Sequence, residues 1–548
     1  MNRLLAGSAL FVFSAALAVA SPLSSGRPVT THRYDAQRSG VNSRETVLDH
    51  ATVSGRFGKL FEVDTDGEIY AQPLYVPGFR MSDGSVKSLL IVATMKGELF
   101  AFDAGRAPVN SERPYLWRAR LKHVDHRFHE DDRPISWFKG ILSTPYIDIE
   151  KGLVYAVAMD ISHDSDAMYK LYKLDVGSGR VLKSVEIKGS LPGTGTDAKI
   201  IGGESRIVFD PNQHLQRTAL TYHEGYLHFG FGSLGDRQPF HGWIFSYKAD
   251  DLTGGPSFLS TPHATSDDPG AGIWQSGQGF SVDPEGFFYV STGNGDFSEE
   301  RGNWGNSLLK LQFVAGEGRF RKIDHFTPFN FKELNDLDFD IGSAGVIFVP
   351  PRFAIGAGKS GKFYIMDKDH LGGHTPERHY DAGPIQVFQV TEPHYDKIIN
   401  DTMMWNIHGS PIPWKNRLYV MGESDPVKAF AMDPETGVCN TTPIMRSQFV
   451  APIGMPGGFL SLSVNPAREA DSAIVWVVHP LEGDATFEPR PGILHALDAN
   501  DLSRELWNSK MKPEDDFGTF AKFVHPVIAD GRVFMASKYG KVFVYGRK

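Results

Sequence analysis

The sequence predicts an all-β fold, an eight-bladed β-propeller closed by an N-terminal strand that completes the last blade. Three observations predict it. One short pattern recurs eight times between residues 70 and 548: an apolar strand opening near a small residue or proline, a second apolar strand with aromatics, then a third that often ends in an aromatic or Leu followed by Asp. No amphipathic helical run of convincing length interrupts the copies, while 57 glycines and 34 prolines supply the turns that many short strands need. The last copy shows three strands before Lys548, and the first is preceded by an unmatched strand, GKLFEVD, over 58–64. A small antiparallel sheet cannot bury its own faces, so a row of them is stable only when neighbours stack. A strap from the N-terminal strand removes the free sheet edges at the junction of such a ring.

Taken in chain order, residues 1–20 read as an export leader. Asn2 and Arg3 precede the apolar stretch LLAGSALFVFSAALAVA, which ends in Ala18-Val19-Ala20, a small-x-small cleavage motif before Ser21. A secreted product is expected, extracellular or periplasmic in a bacterium, with an N-terminal arm over 21–57 and the propeller over 58–548. No other segment approaches the length of a membrane span. The first two units are the clearest, AQPLYV with LLIVATMKGELFAFDA (71–76, 89–104) and STPYID with GLVYAVAM and MYKLYKLDVGSG (143–179). The third, fourth, fifth and seventh diverge, with first strands expected near Thr218, Gly277, Gly342 and Leu460. GSPIPW with NRLYVMGESDPVKAFAMDPETG (409–437) forms the sixth, and VHPVIA with GRVFMASKYGKVFVYG (524–546) the eighth. Successive starts about 50 to 75 residues apart predict long connecting loops.

Composition narrows the function classes. A net charge of −9 without a basic stripe or acidic tail argues against nucleic acid as a partner. One cysteine, Cys439, rules out an intrachain disulfide. Asn400-Asp401-Thr402 and Asn440-Thr441-Thr442 are glycosylation acceptors in a eukaryotic host. Asp103, Asp175, Asp367, Asp433 and Asp498 recur at the ends of third strands, so they are expected to accept backbone hydrogen bonds in the following turn. A residue type repeated in many units serves the fold; a polar residue found in one unit near the channel is a candidate for chemistry.

Such unrepeated residues cluster in the third to fifth units. FGFGSLGDRQPFHGWIFSYKADDLTG (229–254), SVDPEGFFYVSTGNGDF (281–297), NDLDFD (335–340) and GKSGKFYIMDKDHLGG (358–373) follow one another in order. Together they resemble the eight-bladed pyrroloquinoline quinone (PQQ) dehydrogenases, the quinoprotein alcohol dehydrogenase-like propellers. The resemblance implies a calcium ion held by Asp236, Asn294 and Asp338, with Asp338 also the catalytic base. It implies that Lys359 donates to the quinone carbonyls and stabilises charge developing there, and that Trp274 or Trp405 stacks on the cofactor. Members of the family carry two adjacent cysteines against the other quinone face. With one cysteine this chain cannot form that ring, and Trp137, within ERPYLWRARLKHVDHRFHEDDRPISWFKGILSTP (112–145), is expected to replace it as a stacking wall for the cofactor. Calcium takes six to eight oxygen donors, some of them from PQQ, so two carboxylates and one amide form a reasonable protein share. The implied activity is oxidation of a small-molecule alcohol or carbohydrate, with the metal polarising the quinone while the base removes the hydroxyl proton.

Two further constellations keep other functions open. His123, His126 and His129 stand beside Glu130, Asp131 and Asp132 in one connection, a pattern that fits either a metal site or a solvated rim. His241, His408 and His525, with Arg217, Lys522, Trp405 and Trp137, suggest a cationic, aromatic funnel for acidic sugars, as in a propeller polysaccharide lyase. A non-catalytic PQQ-like propeller that binds a glycan or a protein partner is the third reading.

Overall fold

The computed structural model describes residues 26–548 apart from 110–113, 122–134, 137–138, 162–166, 394–397, 400–401 and 404. The leader, the His123 to His129 cluster with its acidic neighbours, Trp137 and Asn400 therefore lie outside the described residues. Asn440 is exposed, as a glycosylation acceptor must be.

Eight sheets of four or more strands, antiparallel except where Val41–Asn42 joins the seventh in parallel, follow one another in chain order among the described residues. The first is built from Leu74–Arg80, Val86–Ala93, Glu98–Asp103 and Trp117–Arg120. Leu89 to Ala93 and Leu99 to Phe102 of its central strands are buried because both faces pack on other sheets, so the sequence there runs apolar without alternation. The first strands of the later sheets are Tyr146–Asp148, Thr221–His223, Ser281–Val282, Val346–Val349, Ile412–Pro413, Phe459–Ser463 and Val527–Ala529.

Side chains stitch each sheet to the next. Trp117 donates to the Val176 carbonyl at 2.9 Å, Tyr146 stacks on Tyr222 at 4.9 Å, and the His228 ring meets Phe288 edge-on. Tyr289 stacks on Phe348, Phe363 meets Phe430, and the Tyr419 hydroxyl donates to the Ala499 carbonyl. Phe57 packs on Trp476, and Tyr75 of the first sheet stacks on Phe534 of the last at 5.4 Å, closing the circle. The expected strap is present: Phe57–Asp64 pairs antiparallel with Lys541–Arg547 as the fourth strand of the last sheet. The five repeated aspartates behave as expected too, each accepting a backbone N–H two or three residues on, from Gly105, Ser178, Asp369, Glu435 and Asn500.

The arm is more than a lead-in. Between residues 29 and 42 it bonds in turn to the innermost strand of every sheet, or to the residue just before it. Val29 pairs with Tyr75, the Thr30 carbonyl accepts from Ile147, and the Arg38 guanidinium donates to Thr221 Oγ1 at 2.8 Å. The Ala36 and Gln37 carbonyls accept from Val282 and Phe348, Arg33 donates to the Pro411 carbonyl, the Gly40 carbonyl accepts from Leu462, and Asn42 donates to the Ile528 carbonyl. Arg33, Tyr34 and Arg38 have φ of 56°, 75° and 59°, so the segment coils tightly across the axis. Among the described residues no helix is long and apolar enough to cross a membrane.

Candidate functional site

Arg217, Trp274, Lys522 and Phe523 each stand shortly before an inner strand, whereas the arm bonds to Thr221, Val282 and Ile528 farther along those strands. The cavity these four residues line therefore lies at the opposite end of the channel from the arm. It has a volume of about 870 Å³ and is also lined by Asp236, Asn294, Asp338, Asp340 and Lys359.

Asp340 organises one wall. Its Oδ2 accepts the Trp274 indole N–H at 3.0 Å, and its Oδ1 accepts the Asn294 backbone N–H at 3.0 Å. Its backbone carbonyl accepts the Lys359 N–H at 3.0 Å, and its carboxylate lies 3.3 Å from Lys359 Nζ. That close passage requires Gly358, where a Cβ would meet the Asp340 carbonyl at 2.5 Å. Asp338 follows the short helix Phe331–Asp336 with φ of 56°, a left-handed turn that aims it at the same ammonium as Asp340. Lys359 Nζ donates to both Asp338 oxygens at 2.8 Å, and Asn294 Nδ2 donates to Asp338 Oδ1 at 2.8 Å.

The electrostatics follow from this crowding. Burial disfavours the Lys359 charge, but Asp340 and then Asp338 outweigh it and hold the ammonium above its ordinary range. Protein packed around it raises the Asp338 carboxyl although the side chain stays open to the cavity; Lys359 pulls it back, and Asp340 adds to the rise.

Five of the residues expected at the site, Asp236, Trp274, Asn294, Asp338 and Lys359, thus line one cavity. Within it, the implied calcium ligands are engaged with other groups of the chain. The Asn294 amide oxygen, expected to face the metal, accepts from Asn306 Nδ2 at 2.8 Å, which leaves its NH2 pointing at Asp338. Asp236 accepts from Ser233 Oγ and makes no hydrogen bond to Asp338 or Asn294. Lys359 sits between Asp338 and Asp340, of which only Asp338 belongs to the implied set. Among the described residues no three His, Cys, Asp or Glu side chains are grouped as a metal site. Trp405 is also displaced from its expected role: it is buried against Phe339 at 5.7 Å and does not line the cavity.

The three histidines singled out in the sequence lie beneath the surface rather than in the cavity wall. His241 binds Asp197 and Thr261, His408 faces Glu423 at 3.3 Å, and His525 accepts from Arg33 at 3.0 Å. Burial, then the Arg33 charge, holds His525 well below the usual histidine range, so it is neutral. Asp340 is given no role by the resemblance. Its position just ahead of an inner strand, shared with Arg217, Trp274 and Lys522, is the signal that marks it.

No family model matches the chain, and no curated protein matches it. Solved structures do. The quinohemoprotein alcohol dehydrogenase of Pseudomonas putida HK5 superposes with a TM-score of 0.54 at 13% identity, covering 95% of this chain and 80% of that one. The quinohemoprotein alcohol dehydrogenase of Comamonas testosteroni gives 0.50 at 14% identity, with the same coverage. At such identities the likeness is one of architecture: this chain has the β-propeller fold found in quinohemoprotein alcohol dehydrogenases.

Proposed function

We propose that the protein is an exported quinoprotein-type oxidoreductase that binds PQQ in the channel cavity and oxidises a small alcohol or sugar. One observation carries the reading: Asp340 ties Trp274, Asn294 and Lys359 into a single wall, with Asp338 held against the same ammonium. The cavity suits a flat, anionic cofactor, since the Trp274 ring forms part of the wall and Lys359 Nζ lies 5.6 Å from its centroid. In this reading Lys359 provides the positive charge beside Asp338 and Asp340, so calcium is not required for it.

Bound PQQ supplies a two-electron acceptor. Asp338, open to the cavity with its carboxyl raised, accepts the hydroxyl proton of the substrate. Lys359 stays charged throughout and stabilises negative charge developing beside it. Asp340 fixes the Trp274 plane through its indole N–H, and Phe240, Leu234 and Met455 supply apolar wall that limits water.

The test is reconstitution of purified protein with micromolar PQQ, with and without calcium, followed by quinone absorbance and dye-linked alcohol oxidation. Binding and turnover are expected in both conditions. Absence of binding in both removes the reading, and a strict calcium requirement removes the role given to Lys359. Asp338→Asn should retain PQQ while kcat falls about 10²- to 10⁴-fold.

A further inference from the structure

Three arginines are buried among the described residues: Arg33, Arg38 and Arg217. The first two are satisfied. Arg33 donates to the carbonyls of Arg38, Ser410 and Pro411, and Arg38 donates to Phe280 O, His32 O, Thr31 Oγ1 and Thr221 Oγ1. Arg217 differs. It is 5% exposed, its guanidinium makes no hydrogen bond or ion pair among the described residues, and it faces the cavity. Its Cζ lies 4.9 Å from the Phe523 ring centroid and 5.6 Å from that of Trp274. Phe523 is held with φ of 66°.

Two aromatic faces stabilise a cation but leave the planar fork of five N–H donors unused. A buried charge without an anionic partner is costly, and a fold has no packing reason to keep one in a cavity wall. Lys522 lines the same end of the cavity and donates to the Thr486 carbonyl at 2.6 Å. The acidic residues Asp338 and Asp340 are already engaged by Lys359. Trp274 joins the two regions, with Lys359 and Arg217 each 5.6 Å from its ring.

We infer that Arg217, supported by Lys522 and flanked by Trp274 and Phe523, is a carboxylate-binding subsite at the cationic end of the cavity. A ligand lying along Trp274 presents a carboxylate to Arg217 while its other end reaches Lys359 and Asp338. Two groups have this chemistry, a carboxylate of the quinone and a carboxylate on the substrate. The inference does not depend on the quinone reading.

Lys522 gives the subsite a pH signature. Burial first, then the neighbouring charges of Lys538 and Arg217, lower its ammonium to about 7 against the opposing pull of Asp484 and Glu68. Carboxylate affinity is therefore greater below pH 7 and weakens as Lys522 loses its proton above it.

Calorimetric titration of the full chain with benzoate, with benzyl alcohol as the neutral control, and with PQQ tests the assignment in wild type, Arg217→Met and Arg217→Lys. Benzoate should bind wild type at least tenfold more tightly than benzyl alcohol, lose at least tenfold in Arg217→Met, and recover part of that in Arg217→Lys. Arg217→Met should also melt a few degrees higher, because it removes an uncompensated buried charge. If Arg217→Met weakens PQQ binding, the carboxylate is the cofactor's. If PQQ affinity is unchanged, and wild type alone prefers a carboxylated alcohol to its neutral counterpart in dye-linked turnover, it is the substrate's. Benzoate, PQQ and carboxylated alcohols all insensitive to Arg217 would overturn the subsite. So would a lower melting temperature with unchanged benzoate affinity, which assigns Arg217 to packing. Arg217-dependent benzoate binding without any PQQ binding leaves the subsite standing and removes the quinone reading.

Discussion

The ammonium of Lys359 is shared by two carboxylates from one short segment, and the pair is unequally exposed: the Asp340 side chain is 8% accessible and that of Asp338 63%. Lys359→Met strands the buried Asp340 charge and should cost on the order of 3 kcal/mol in denaturant unfolding. Lys359→Met with Asp340→Asn should recover part of that, since no bare charge is left inside. The residues of this wall were partly legible in the sequence. Asp338, Asn294, Lys359 and Trp274 stood out because their types do not recur at the same place in other units, and the fold brings them to one cavity. Asp340 did not stand out, since nothing in NDLDFD shows that the chain turns left-handed at Asp338 and brings both carboxylates to one ammonium. Trp405 was misplaced because a tryptophan near the channel satisfies a core as readily as a cofactor, and Phe339 claims its ring.

Individual sheets carry their own charged devices. In the sixth, Asp425 lies just before the strand Pro426–Ala431 and pairs with Lys428 at 2.7 Å, both buried. Burial lifts the Asp425 carboxyl to about 6 against the pull of Lys428. With a raised native value, the folded state binds more protons than the unfolded chain between the ordinary aspartate pKa and 6. This group's contribution is thus fully present below that window and is lost as pH rises through 6, by about 3 kcal/mol for a shift near two units. Unfolding curves of wild type and Asp425→Asn from pH 4 to pH 7 should differ by that slope, the variant being flatter. The regular parts of each sheet were readable from apolar runs and the aspartate turns. The divergent third sheet was readable in part: its inner strand begins at Thr221, near the expected Thr218, but a separate strand His214–Gln216 pairs with the same neighbour. A small sheet of Ser190–Pro192, Lys199–Ile201 and Glu204–Val208 escaped notice as well, because its largely exposed residues carry no burial pattern.

At the scale of the whole ring, cohesion depends on the arm. Arg33 donates to several carbonyls and to His525 at the centre, so Arg33→Ala removes contacts to the sixth and eighth sheets at once. With charged hydrogen bonds worth roughly 1.5 to 3 kcal/mol each, a loss of about 3 to 5 kcal/mol is expected, read by calorimetric melting. The apolar strap over 58–64 was foreseeable, since an unmatched strand needs a partner. The polar arm was not, because buried arginines bonded to carbonyls look like surface in a sequence.

The arm also sets the traffic. With one end of the axis stoppered by hydrogen bonds to all eight inner strands, the chamber is a cul-de-sac. Under the proposed oxidation, alcohol and product would share one doorway, so a product slow to depart would block the next substrate.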